Sequence, residues 1–213
     1  MQLVIDELKA DALGQMAEQD RRAVEDLLAA PAPSHVSPIS TQARPFVKNW
    51  TMVEVAPLLE TKLKHRNFEH GKQMFAAANC FNCHRFDGDG GAVGPDLTAL
   101  SGRFAARDIL ESVLEPSKVI SDQYAAVTVT TKDGKVVTGR VVNFSGNTIQ
   151  INTNMLDPAA LEKVNREDIE KMEPSKVSMM PSGLLNTLSE TELLDLFAYL
   201  LSRGDNRNAM FER

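Results

Sequence analysis

The run Cys80-Phe-Asn-Cys83-His84 constrains this chain more than any other feature. Two thiols three residues apart at a helix end can reach the two vinyl groups of one porphyrin, and the adjacent imidazole is then delivered to the iron on the same face. Other chemistries use a cysteine pair at this spacing. A thioredoxin-like redox pair needs a βαβ setting, which the pattern lacks. A zinc site needs four ligands, so His35, His65 or His70 would have to complete the set. The chain has two cysteines in all, which rules out a structural disulfide framework. With four histidines in the chain, one falling by chance directly after the second cysteine is rare. The motif therefore reads as the attachment site of a single covalent haem c, with His84 as proximal iron ligand.

A length of 213 residues and 43% hydrophobic composition suffice for one or two domains with real cores. The net charge is −6, and no basic block stands out, which argues against nucleic acid as a partner, and a neutral or basic protein fits better. No apolar run of about 18 residues exists to form a transmembrane segment. The N-terminus, MQLVIDELKADALGQ, lacks the basic, apolar and small-residue regions of a secretory signal. Bacterial haem attachment takes place outside the cytoplasm. The expectation is thus a periplasmic or otherwise exported protein, seen as a mature form or excised fragment with Met1 as an expression start. A cytoplasmic chain that never receives haem is the alternative.

Residues 1–30 pattern as an acidic helix with a solvated face, and 31–45, with Pro31, Pro33, Pro38 and Pro45, as a linker. The first segment is therefore 1–47. Thr51-Met-Val-Glu54 is a capping box opening a short helix to about Lys62, with Pro57 as a point of kinking or shortening. A helix from about Phe68 to Ala78 leads into the cysteine motif, a glycine-rich loop follows at 88–94, and a helix around 105–115 stops at Pro116. Residues 120–173 change character. Tyr124–Thr131, Val136–Phe144 and Thr148–Asn154 alternate as strands across turns at Lys132–Lys135 and Ser145–Asn147. Leu161–Val164 and Ile169–Met172 could complete five strands, which suggests a small barrel. Ser189-Glu-Thr-Glu192 then caps a helix with an apolar stripe of Leu193, Leu196, Phe197, Leu200 and Leu201. The expected fold is mainly α: a helical domain made of 48–119 and 174–213, an inserted small β-barrel at 120–173, and an N-terminal helical segment.

Gly71 and Phe75 one turn apart before the motif, Gly94-Pro-Asp-Leu97 and Ser101-Gly-Arg103 after it, and Phe197-Ala-Tyr-Leu200 on the last helix together resemble the class I cytochrome c pattern. The wider arrangement runs from VGPDLT through LEPSKVISDQY, the β insert and SMMPSGLL to LLDLFAYLLSRG. It resembles the Pirellula/Verrucomicrobium-type haem-binding domain over about residues 45–213. The resemblance implies that Pro95 offers its carbonyl to Nδ1–H of His84, that Leu97 packs on the haem face, and that Arg103 neutralises a propionate. A turn proline and a surface arginine are the structural alternatives. It further implies that Gly71 and Phe75 cross the last helix against Tyr199 and Leu196. The residues alone leave both methionines of Ser178-Met-Met-Pro181 as distal ligands. The resemblance selects Met180, directly before the proline, and in an extended loop Met179 would face away. His65 and His70, the nearest rivals, precede the motif on the proximal side.

His84–Met180 ligation would close the coordination sphere, and an axial methionine raises the potential, so the resemblance implies an electron-transfer protein rather than an enzyme. One CxxCH excludes a di-haem peroxidase within this chain, and no Ser/His/Asp constellation or phosphate loop appears. The expected partner is a redox protein or a fused dehydrogenase domain. The competing function is a haem-based redox or gas sensor, in which release of Met180 is relayed through the β insert lying between helix 105–115 and the methionine loop. In a third, the insert docks a partner protein.

Overall fold

The computed structural model describes residues 44–157 and 159–212, together with 14–16, 20, 21 and 24. The chain divides into two units, Met1–Ser37 and Pro38–Arg213, and the second is described here. The helix expected over 1–30 and the linker expected over 31–45 lie, but for residues 14–16, 20, 21, 24, 44 and 45, outside the described residues.

Helix α1, Met52–Thr61, opens on a reciprocal cap: the Thr51 hydroxyl accepts from the Glu54 amide, and the Glu54 carboxylate accepts from the Thr51 amide. Pro57 sits inside the helix and cannot donate to the carbonyl of Val53, whose residue is 85% exposed. Water can satisfy that carbonyl, and the helix continues past the proline. Helix α2, Phe68–Ala77, starts where Asn67 Oδ1 accepts the His70 amide at 3.0 Å. Asn79 then adopts a left-handed conformation, φ 59°, which turns the chain into the single turn α3, Cys80–Cys83. A two-residue ribbon follows, β1 (Arg85–Phe86) against β2 (Asp89–Gly90). Helix α4 covers Ala106–Leu114, and the capped helix α5 covers Glu190–Leu201.

The final helix is more deeply placed than a one-sided apolar stripe requires. Leu193 through Leu200 are all buried, Asp195 among them. Its carboxylate accepts from the Asn67 amide at 3.2 Å and lies 2.7 Å from Nδ1 of His70, so the buried charge is met from the start of α2. Helix α2 crosses α5 at Gly71. A Cβ there would lie 2.3 Å from the Asp195 carbonyl oxygen and 2.7 Å from Tyr199 Cβ, so only glycine permits this approach. Around the crossing, the rings of Phe75, Phe86 and Tyr199 pack with centroids 4.7 to 6.0 Å apart.

Between α4 and α5 lie β3 (Val127–Thr131), β4 (Val136–Ser145), β5 (Thr148–Asn152), β6 (Leu161–Asn165) and β7 (Ile169–Pro174). They form one antiparallel sheet in the order β6-β5-β4-β3-β7. Gly134 (φ 85°) and Gly146 (φ 56°) supply the positive dihedrals of the two hairpin turns. Val129, Val137, Ile149, Ile151 and Val164 make an apolar cluster of their own, separate from the helical core.

This sheet corrects the expectation of a mainly α chain with a small closed barrel. The five strands form an open sheet with β6 and β7 at its edges, and strand contributes substantially beside helix. A 3-10 turn, Arg166–Asp168, joins β6 to β7, and β7 pairs antiparallel with β3 rather than with β6. Bulges between Thr130 and Thr131 and between Val141 and Asn143 interrupt the registers.

Candidate haem-attachment site

The cysteines occupy the two ends of α3. Cys80 is buried and Cys83 half-buried, and neither is bridged. Burial pushes the Cys80 thiol up to about 12 and raises that of Cys83 as well. Immediately after the helix His84 turns into extended backbone, φ −109° and ψ 139°, with its amide donating to the Cys80 carbonyl at 2.9 Å. The imidazole is thereby carried on the same short turn as both thiols.

Burial lowers the pKa of His84, and the Pro95 carbonyl acts in the opposite sense. Nδ1 lies 2.8 Å from that carbonyl oxygen. Since a carbonyl can only accept, the proton belongs on Nδ1, and the lone pair of Nε2 is left for a metal.

The glycine-rich loop fits closely around this turn. A Cβ on Gly90 would lie 2.3 Å from the His84 carbonyl oxygen, and one on Gly91 would lie 2.2 Å from that of Asn82. At Gly94 a Cβ would come within 2.7 Å of His84 Cε1. Gly91 donates to the Phe81 carbonyl at 2.9 Å and Gly94 to that of Cys83 at 2.7 Å, so the loop returns hydrogen bonds to the motif it encloses. Leu97 is half-buried against the helical core and donates its amide to Arg85 at 2.8 Å. Two unbridged thiols, an imidazole with a fixed tautomer and a backbone trimmed of side chains beside the ring match the donor set that haem c requires.

The remaining sequence candidates have contacts of their own. Met180 is half-buried, and its amide donates to Ser178 Oγ at 3.1 Å. With Leu114, Pro116, Val177 and Pro181 it lines an open cavity of about 600 Å³ at the end of α4. Met179 is also half-buried but does not line this cavity, nor do Cys80, Cys83 or His84. The Ser178 amide donates to Ser117 Oγ at 3.1 Å, tying the methionine loop to the turn that leaves α4. Arg103 is exposed, its guanidinium 5.6 Å from the centre of the Phe104 ring. His65 Nδ1 lies 2.9 Å from the Glu212 carbonyl oxygen, and His70 faces Asp195.

Three contributors carry no clear sequence signal. The roles of Gly90 and Gly91 depend on distances to backbone atoms that composition does not reveal. Arg140, on a solvent-patterned strand, reaches across to the Val93 carbonyl at 3.0 Å.

No curated protein matches this chain. Among the described residues no helix is long and apolar enough to cross a membrane, and cytochrome c domains are usually periplasmic or extracellular. The cytochrome c family model matches residues 68–136, from α2 through the cysteine motif and α4 to the first residue of β4, and this match supports a c-type cytochrome with haem-based electron carriage.

Proposed function

We propose that the chain is a mono-haem electron carrier in which Cys80 and Cys83 hold haem c through thioethers, His84 is the proximal ligand and Met180 the distal one. The observation that carries this reading is the 2.8 Å contact between His84 Nδ1 and the Pro95 carbonyl, because it fixes the tautomer and makes Nε2 the better donor. Bound haem supplies a one-electron iron couple. The chain contributes the rest: α3 presents the thiols, the glycine loop holds the imidazole, and half-buried Leu97 shields apolar surface near the motif. The resemblance favours Met180, directly before Pro181, over Met179, and a soft thioether favours the ferrous state. Arg103 is exposed, and its exposure is compatible with a propionate contact at the surface.

A β sheet between α4 and the methionine loop supports the narrower resemblance to the Pirellula/Verrucomicrobium-type haem-binding domain. On this reading the protein is exported, and it takes electrons from a redox partner or a fused dehydrogenase domain.

The test is spectroscopic. The ferric protein should show the weak thioether charge-transfer band at the red end of the visible spectrum. Met180→Ala should remove it, lower the potential and admit carbon monoxide to the ferrous site, while Met179→Ala changes little. Rapid carbon monoxide binding by the unaltered ferrous protein would replace the carrier with the sensor.

A further inference from the structure

A side chain of the sheet, Arg140, reaches the glycine-rich loop beside the cysteine motif. Arg140 lies on β4, where it pairs with Asn152 of β5. Its neighbour Gly139 packs so tightly that a Cβ would lie 2.2 Å from the Asn152 carbonyl oxygen, which fixes the strand at this point. From there Nη1 of Arg140 donates to the Val93 carbonyl at 3.0 Å in a half-buried setting. The guanidinium carbon sits 5.3 Å from the centre of the Tyr124 ring, over which the planar group is steered.

The Val93 carbonyl and the Gly94 amide belong to a single peptide unit. On one side that unit accepts from Arg140, and on the other it donates to the Cys83 carbonyl at 2.7 Å. Two residues on from Val93, the carbonyl of Pro95 faces His84 Nδ1 at 2.8 Å. A charged donor on an amide oxygen is stronger than a neutral one, and it polarises the amide so that its N–H donates more strongly in turn.

We propose that Arg140 is a positioning residue: from the inserted sheet it clamps the Val93–Gly94 peptide and so holds Pro95 against the His84 ring. The inserted module is then part of the proximal machinery and not merely an appendage between α4 and the methionine loop. This rests on the proposed function only in taking His84 as the ligand that the loop serves. Arginine suits the task because a flat fork can stack on Tyr124 while it donates sideways, and a lysine ammonium can do only the second.

Proton exchange in the full-length, haem-loaded ferrous protein tests the clamp, with the Gly94 amide and His84 Nδ1–H followed by NMR and α5 core amides as the global reference. Arg140→Met should speed exchange at both sites by at least about tenfold relative to the α5 amides, as loss of a charge-assisted bond requires. Arg140→Lys should restore part of the protection. Should Arg140→Met fail to accumulate, Arg140→Lys and Tyr124→Leu weaken the grip without abolishing it, and each should still raise both rates. Unchanged rates, or a rise no larger than that of α5, overturn the clamp. Absence of thioether-bound haem from the unaltered protein would instead refute the proposed function, and the Gly94 rate would still decide whether Arg140 holds the loop.

Discussion

Gly94 and His84 are in contact so close that no side chain fits between them: a Cβ on Gly94 would lie 2.7 Å from Cε1 and 2.8 Å from Nδ1 of the imidazole. The same loop residue donates its amide to Cys83 and precedes the proline whose carbonyl faces Nδ1. One glycine thus lets a backbone segment lie flat along the ring and still hold it at a single angle.

Gly94→Ala should therefore displace either the ring or the loop. Overpacking of this kind costs about 1–3 kcal/mol. The measurement is a thermal melt of the haem-loaded protein beside its visible spectrum. A lowered Tm with altered haem bands is expected, and a melt and spectrum identical to the parent would show that the loop yields freely.

Gly71→Ala tests the helix crossing. The added methyl meets the Asp195 backbone at 2.3 Å, and backbone cannot swing aside as a side-chain tip can. The two helices must separate, at a cost of about 1–3 kcal/mol or more. Denaturant unfolding should report the loss as a lower midpoint.

The helical core and the sheet core are separate clusters, and Ile151 is fully buried in the second. Ile151→Ala should cost about 2–5 kcal/mol of sheet stability through lost transfer energy and a cavity. Amide exchange should rise across β4, β5 and β6, while α2 and α5 stay protected. Equal loss of protection in α5 would mean that the two cores unfold as one.

Much of this architecture is readable in local chemistry. The Thr51 and Ser189 capping boxes, the hairpin turns at Gly134 and Gly146, and five strands close to their expected bounds follow from residue type and spacing. Closure of the sheet does not, because it requires β7 to pair with β6 as well as with β3, and alternation is identical whether or not it does. Pro57 warned of a kink that solvent at Val53 makes tolerable. At the site, the cysteines and His84 announce themselves by spacing, and Pro95 through the resemblance. Arg140 could not be found that way: its partner is a backbone carbonyl 47 residues distant, and nothing in the residue type of Val93 marks it.

Thiol chemistry gives a further test in protein made without the haem-attachment machinery. The thiolate is the reactive form, and burial holds the Cys80 thiol at about 12, far above ordinary labelling conditions. Because that pKa is raised, deprotonation as pH climbs from the unfolded thiol range toward 12 favours the unfolded chain, so stability is lost over that window. In mildly alkaline buffer an alkylating reagent should modify half-buried Cys83 well before Cys80, and denaturant should abolish the difference. Equal rates in native buffer would contradict the burial of Cys80.

Covalent attachment of one haem at Cys80 and Cys83 is the claim on which the rest depends. The intact mass of the protein, made with the attachment machinery and separated under denaturing conditions, tests it most directly. The unaltered chain should carry the mass of one haem through denaturation, and the double variant Cys80→Ala/Cys83→Ala should emerge at its polypeptide mass alone. An unaltered chain that loses its haem to acidified organic solvent, or that carries more than one, would contradict the account.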